Sequence, residues 1–323
     1  MRLDVLIPTL NRAALLDRAL RSLMTAELPA GLDAHVWVID NRCTDNTAAV
    51  VERYAAEHPG KVSRVFERRR GKSRALNTGI DASSGDLVGM IDDDEEVGRG
   101  WYRAIHEAFQ DDSIEFVGGP YVAVWEAPPP EWVPYEYLAV LGAVDNGHDV
   151  REYDASFHGI LKGGNAVIRR RTLQRVGPYA EWLGPAGSNR LLSCEDEEMY
   201  QRLLKAGARG RYLPTLVVHH HVLAERLSPE YYRKWCFWRG VSRGLMDRTH
   251  PLPVPYLAGV PRFLFGRAAR GFLKLLQHRA ARQHWSQTFS DELSMWDLAG
   301  YFYGRHIYPL ARFSPVRSRR RLR

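Results

Sequence analysis

The sequence predicts an α/β fold, a mainly parallel sheet flanked by helices, followed by a basic helical extension, and three observations carry that prediction. Short apolar runs alternate with helix-period segments through the first hundred residues. Polar clusters follow three of those runs, at Pro8–Arg12, Asp40–Asp45 and Asp92–Glu96, and in parallel sheets ligands gather at the carboxyl ends of strands. Charge and texture then change near residue 226.

Leu3–Ile7 is an apolar run closed by Pro8 and reads as a strand; Leu15, Leu16, Ala19, Leu20 and Leu23 follow at helical spacing within Ala13–Ala26. The alternation continues with a strand at Val36–Ile39 ending at Asp40, a helix over Thr47–His58, a strand at Val62–Phe66, a helix over about Ser73–Ala82 and a strand at Leu87–Ile91. Beyond about residue 113 the pattern breaks down. Glu115–Val124 reads as a strand, and the proline-rich "EAPPPEWVPYEY" as a surface loop near a groove. Glu195–Ala206 reads as a helix stopped by Gly207, and Arg211–His219 as a strand. The division expected is a domain over 1–225 and an extension over 226–323.

The net charge of +7 conceals an asymmetry: residues 1–225 hold 26 Lys/Arg against 33 Asp/Glu, and residues 226–323 hold 19 against 5. So basic an extension suits an anionic surface. Within Tyr256–Leu276, Arg262, Arg267, Arg270 and Lys274 fall in one arc of about 140° at 100° per residue, with Leu, Phe and Val over most of the remainder. A helix of that pattern lies in a membrane interface or packs one face on a core; Trp296, Tyr301, Phe302, Tyr303, Tyr308 and the tail "RSRRRLR" favour the membrane. Cys43, Cys194 and Cys236 have no CxxC spacing and suggest neither zinc nor a disulfide framework, which fits a reducing compartment. No run approaches the roughly 18 apolar residues of a membrane span, and no signal-peptide pattern is recognised, so the expected place is the cytoplasm, possible association with the inner face of the membrane included.

The acid run "IDDDEEV" at 91–97 is either a solvated turn or a cation site, since hard divalent ions take carboxylate oxygens. Its place at a ligand edge favours the cation. The segments "VLIPTLNR", "VIDNRCTDNT", "GKSRALNTGI", "IDDDEEV", "KGGNAVIRR" and "CEDEEMYQRLLKAGARGRYLPTLVVHH", taken in order, resemble a family 2 glycosyltransferase with the GT-A fold over roughly residues 1–225. The resemblance implies a nucleotide-diphosphate sugar donor, a divalent cation (Mn2+ or Mg2+), and inversion at the anomeric carbon. A cation bridging the donor's phosphates offsets their charge as the sugar departs.

Carried over residue by residue, the resemblance puts Asp92 toward the ribose, Asp94 on the metal and Asp93 between them, and leaves Glu95 and Glu96 in a solvated loop. Asp40 resembles the acid that reads the donor base, with Pro8 and Thr9 lining the same pocket and Asn11 and Arg12 following in the motif. An Asx-turn is its bland alternative. Lys72, Arg74 and Asn77 match positions near the donor; Gly163, Gly164 and Asn165 match the segment that shapes the sugar and acceptor pocket. The acid pair Glu195–Asp196 supplies the base, here Asp196, although Ser193-x-x-Asp196 also reads as a capping box. A histidine at this place in the family completes the metal shell; the choice is His219, with His221 as substitute, and strand alternation sets His220 apart. The expected acceptor is a saccharide or lipid-linked saccharide, with no nucleic acid partner. Of the rivals, a nucleotidyltransferase wants a Gly-rich basic loop that "PTLNR" does not supply, and a non-catalytic anionic-surface or nucleic-acid binder leaves six ordered motifs without a role.

Overall fold

Leu3, Val5, Leu6 and Ile7 are all enclosed, so the first strand has no solvent face, as a central strand covered on both sides requires. The computed structural model describes residues 1–308 apart from 134, 155, 158 and 187–189, which places the arginine tail at 317–323 outside the described residues. The chain runs through β1 (Arg2–Thr9), α1 (Ala13–Thr25), β2 (Asp33–Asp40), α2 (Thr47–Glu57), β3 (Val62–Phe66), α3 (Lys72–Ala82) and β4 (Leu87–Ile91). β3, β2, β1 and β4 are mutually parallel, with Thr9 beside Asp40 and Asp40 beside Phe66. Their carboxyl ends therefore line one edge.

Beyond β4 come β5 (Glu95–Val97), α4 (Trp101–Ala108), β6 (Phe116–Gly118), β7 (Tyr121–Trp125), β8 (Arg151–Glu152), β9 (Asn165–Arg169), α5 (Arg170–Val176), α6 (Glu195–Lys205), β10 (Gly210–Tyr212) and β11 (Val218–Val222). The large sheet has the order β3-β2-β1-β4-β9-β6-β10-β8, with β9 antiparallel to both neighbours. A second sheet, β5-β11-β7, leans over the ligand edge. Two expected strands are each two. Glu115–Val124 is broken at Gly119-Pro120 so that β6 stays in the large sheet and β7 enters the small one; a Cβ on Gly119 would collide with the Leu216 carbonyl. Arg211–His219 breaks likewise between β10 and β11, and the second strand continues to Val222.

The extension is helical: α7 (Pro229–Met246), a short hairpin of β12 (Tyr256–Leu257) and β13 (Val260–Pro261), α8 (Arg262–Ala280) and α9 (Phe289–Phe302). Ser228 caps α7 by accepting the Tyr231 N–H, and Pro229 begins its first turn. Trp132, Tyr137, Leu141 and Val222 pack with Tyr232, Cys236, Phe289 and Leu293 in one cluster, so the helices share a core with the second sheet. That cluster draws in Trp132 and Val133 from the proline-rich segment, and Tyr135–Leu141 forms a 3-10 helix rather than the expected loop. Aromatic burial outweighs the prolines there. Among the described residues no helix is long and apolar enough to cross a membrane.

Glycines set the spacing of α7 and α9. Gly240 and Gly244 face the backbone of Asp297 and Tyr301, while Gly300 and Gly304 face that of Phe237 and Val241. Asp297, enclosed at this contact, pairs with Arg239 at 3.1 Å. Because a methyl on Gly300 would run into the Phe237 carbonyl, Gly300→Ala is expected to lower stability by about 2–3 kcal/mol. Chemical denaturation of the two proteins checks this; equal midpoints would mean the helices are not in backbone contact.

Candidate active site

The strand β4 is apolar throughout and ends in four acids, of which Asp93, Asp94 and Glu95 are buried and Asp92 is partly open. The turn that presents them is closed on itself: Glu95 N–H donates to the Asp92 carbonyl at 3.2 Å, and the Glu95 carboxylate accepts the Asp92 N–H at 2.9 Å. Gly164 leaves room for this, since a Cβ there would collide with the Glu95 carboxylate. Glu95 is thus a buried support of the turn, not the solvated loop residue expected. Glu96 is the outward acid, paired with Arg18 and His221.

Buried carboxylates need partners, and five separate places in the chain supply them. Thr9, ending β1, donates to Asp93 at 2.8 Å. Arg12, in the turn before α1, donates from one nitrogen to Asp93 at 3.0 Å and Asp94 at 2.9 Å. Lys72, opening α3, sits 2.7 Å from Asp92 and 3.6 Å from Glu195. Arg226, just before α7, donates to Asp94 at 3.0 Å, and His220 lies 3.6 Å from the same oxygen. These residues line a cleft of about 340 Å³ together with Pro8, Asn41 and Pro185.

The charges respond to that packing. Burial opposes ionisation of Asp94, yet His220, Arg226 and Arg12 outweigh it and hold the carboxyl far below its usual range. Burial pushes Asp93 up to about 6 against the pull of Arg12, with Asp94 and Asp92 adding repulsion. Glu95 is raised well above the ordinary value by burial and by its two acidic neighbours, and Glu195 is raised to about 7 by burial, with Lys72 opposing. Lys72 stays protonated because Asp92 and Glu195 outweigh its own desolvation.

Not every expected residue meets this cleft. The histidines are the clearest correction: β11 turns His220 toward Asp94, whereas His221 faces Glu96 and His219 lies opposite His220 in the alternation. The resemblance marks the histidine run but not its parity, and β11 presents the His220 face to the acid turn. Asn165 is fully enclosed, its oxygen accepting from the Trp101 indole at 3.0 Å and its nitrogen donating to the Leu216 and Pro120 carbonyls, which removes it from direct contact with a ligand. Asn77 spends both ends of its amide on the backbone of Tyr179, and Arg74 reaches Glu181 at 3.2 Å. Asn11, at φ 56°, ties the two strand-end turns together by accepting the Thr44 N–H at 2.7 Å.

Asp40 accepts the Cys43 N–H at 2.7 Å and faces Arg64 at 3.4 Å, so it is a turn-former at the strand end; its neighbour Asn41 lines the cleft. Asp196 stands half-buried in the first turn of α6, accepting N–H groups of Gly163 at 3.2 Å and Glu197 at 2.9 Å. Ser193 makes no side-chain cap there, so the capping box is absent. Glu195, one residue earlier, reaches Lys72 and thereby ties α6 to the acid turn. Arg226 and Asn41 were not foreseen; a lone cation after a histidine run and an amide beside Asp40 offer no periodic signal.

An α/β sheet thus carries a buried acid run at its ligand edge, bordered by basic side chains and a second acid pair. Residues 4–177, more than half of the chain, match the model described as Glycosyl transferase family 2. The chain belongs to that family and is a glycosyltransferase.

Among curated relatives, the glucosyl-dolichyl phosphate glucuronosyltransferase of Haloferax volcanii is 26% identical over 57% of this chain, and the chain spans only 58% of that protein's length. The succinoglycan biosynthesis protein ExoM of Rhizobium meliloti is 26% identical over 78% of each chain. The pre-mycofactocin glycosyltransferase of Mycobacterium tuberculosis is 27% identical over 98% of this chain and 67% of its own. Among solved structures, the Pyrobaculum calidifontis mannosyltransferase PcManGT in complex with GDP-Man and Mn2+ shares the fold with a TM-score of 0.61 at 20% identity, over 94% of this chain and 86% of its own. The GT-A fold expected from the sequence is the fold observed.

The loop that carries Lys72 into place hangs on a further carboxylate. Glu67 is buried and accepts from Arg69 and Thr78, while Asn41 binds the Glu67 and Arg69 carbonyls and the Gly71 N–H. Although burial works against it, bonds from Arg69 and Thr78 lower the Glu67 pKa to about 2. A depressed carboxyl stabilises the fold above its unfolded value and loses that effect as pH falls through the folded value. Glu67→Gln is therefore expected to cost about 2 kcal/mol near pH 7, with the gap to wild type closing between pH 5 and 2; urea titrations across that range read it, and a pH-independent gap would contradict the assignment.

Proposed function

We propose that this glycosyltransferase moves a sugar from a nucleotide diphosphate to a hydroxyl of a saccharide or lipid-linked saccharide, with inversion and with a divalent cation, Mn2+ or Mg2+, at the acid turn. The observation that carries this reading is the convergence of Asp92, Asp94 and Glu95, whose carboxylate oxygens lie within 4.8 Å of one another beside three basic side chains. Three hard oxygen donors with an imidazole close by suit either cation. Asp94 is the principal ligand, with Asp92 and Glu95 the other candidate donors and His220 in the place first given to His219. The cation would supply Lewis-acid stabilisation of the departing diphosphate.

The protein's own cations do the rest of the charge handling. Arg12, Arg226 and Lys72 now rest on carboxylates, and the same groups supply positive charge for a diphosphate once the acids engage the metal. Pro8, Thr9 and Asn41 flank the nucleotide end of the cleft, with Asp40 shaping the turn from behind. Asp196 takes the proton of the attacking hydroxyl, its carboxylate held in the first turn of α6 by the Gly163 N–H. Gly163 and Gly164 link this base to Glu95 through adjacent backbone, which keeps base and acid turn at a fixed separation. A nucleotide sugar is what the solved mannosyltransferase carries, and a lipid-linked substrate is what the Haloferax relative is named for.

Replacement of Asp94 by Ala is expected to abolish metal-dependent transfer, measured as nucleotide release from nucleotide sugars. Asp196→Asn is expected to lower turnover at least about a thousandfold while leaving the donor's thermal shift in Mn2+ unchanged. Near-normal turnover in Asp196→Asn would overturn the assignment of the base.

The extension supports peripheral contact with an anionic membrane. α8 has three faces: Leu264, Ala268 and Gly271 are buried, Arg267, Arg270 and Lys274 form a basic face, and Phe272, Leu273 and Leu276 stand 47–58% exposed. Exposed apolar side chains beside cations on one helix fit a lipid interface. Leu273→Glu with Leu276→Glu is expected to reduce sedimentation with phosphatidylserine vesicles at least about fivefold; unchanged sedimentation would remove the membrane from the reading.

A further inference from the structure

We propose that a groove in the helical extension, separate from the catalytic cleft, is a second saccharide-binding site that holds the acceptor chain away from its reacting end. The groove lies among α7, α8 and α9 and encloses about 610 Å³, within the roughly 300–1,000 Å³ of ordinary ligand sites. Its two indoles, Trp285 and Trp296, remain 43% and 41% exposed although each touches the aromatic cluster beneath it. Sugars present apolar C–H faces that such rings cover, and hydroxyls that planar polar groups bind in pairs.

Those planar groups are present and already oriented. Glu292 is held by Arg233 in a two-point pair at 2.6 and 3.1 Å and accepts the Trp296 indole N–H at 3.1 Å. Gln283 lines the same wall, and His278 leaves its Nδ1 buried with no partner among the described residues. Glu292 offsets Arg233, which leaves Arg279 as the unbalanced full charge among the described residues of the lining. A phosphate site would want several uncompensated cations; this lining suits a neutral or weakly acidic saccharide.

The groove also joins the cleft through touching rings. Arg226, on Asp94, precedes the cap of α7, and Tyr231 and Tyr232 follow in its first turn. Tyr232 meets Trp132 at 5.4 Å between centroids, and Trp132 meets Trp285 at 5.8 Å. A chain bound on Trp285 and Trp296 therefore sits on the same packed unit that positions Arg226. The proposal rests on the saccharide nature of the acceptor, and its test uses no donor, so it can fail while transfer at the cleft stands.

The full chain is applied to an array of immobilised di- to hexasaccharides in parallel with Trp296→Ala and Gln283→Ala, with circular dichroism confirming the fold of each. Wild-type binding to at least one glycan, weakened at least about tenfold in both variants, is the expected result. No glycan binding by the wild type, or binding kept in both variants, overturns the proposal. A loss of vesicle sedimentation in Trp296→Ala without any glycan binding would also overturn it, in favour of a lipid headgroup.

Discussion

Carboxylates packed inside a protein repel one another by about 4 kcal/mol per pair at 4 Å for an intermediate dielectric, and Asp92, Asp94 and Glu95 approach within 4.8 Å at the end of a strand with no solvent face. That repulsion is relieved in part by the shift of Glu95 towards its neutral form and in part by positive charge brought in from elsewhere. The fold supplies that charge from far along the chain: Arg12 from the first turn, Lys72 from the start of α3 and Arg226 from the approach to α7, with the His220 imidazole of β11 beside Asp94. The small sheet exists to close this arrangement. β5 continues directly from the acid turn, and β11 pairs with it so that His220 stands opposite Glu95 in register. On the proposed reading, the charges that hold the cleft together are those a cation and a diphosphate would exchange.

The first hundred residues were legible because each element there carries its own period. Strands enclosed on both faces read as unbroken apolar runs, amphipathic helices repeat their buried positions, and the polar clusters at strand ends follow from topology. Val62–Phe66 and Leu87–Ile91 begin and end where the pattern puts them. Asp93 and Asp94 were placed at the ligand edge by the strand that they follow, although the acid run alone also allowed a solvated turn.

Legibility failed where the chain changes sheets. Nothing in the alternation of Glu115–Val124 announces that Gly119 must cross against Leu216, because the requirement comes from a backbone distant in sequence. The histidines of β11 pose a different problem: a one-residue shift of a period-two element exchanges its faces, and the motif does not fix which parity meets the acid turn. His219 and His220 therefore trade places, although both lie in the motif. Asn77 and Asn165 failed differently. Their motif positions are near the donor region, but the amides answer to buried backbone groups, Tyr179 in one case and Leu216 with Pro120 in the other. A buried amide that meets such needs stabilises the walls of a site without touching what it binds.

The helical extension was visible as composition, yet its geometry depends on glycines that sequence periodicity treats as interruptions. Gly240, Gly244, Gly300 and Gly304 let α7 and α9 meet backbone to backbone, and Arg239 with Asp297 closes the contact. A helix pair held that closely transmits displacement as a rigid body, since neither partner has side-chain slack to absorb it. Arg226 stands at one end of α7 against Asp94, and Arg233, two turns on, is locked to Glu292 of α9. The position of the guanidinium at the cleft is thus tied to the packing of the extension. The extension therefore bears on the candidate site through Arg226 and its bond to Asp94, whatever surface it meets on its outer face.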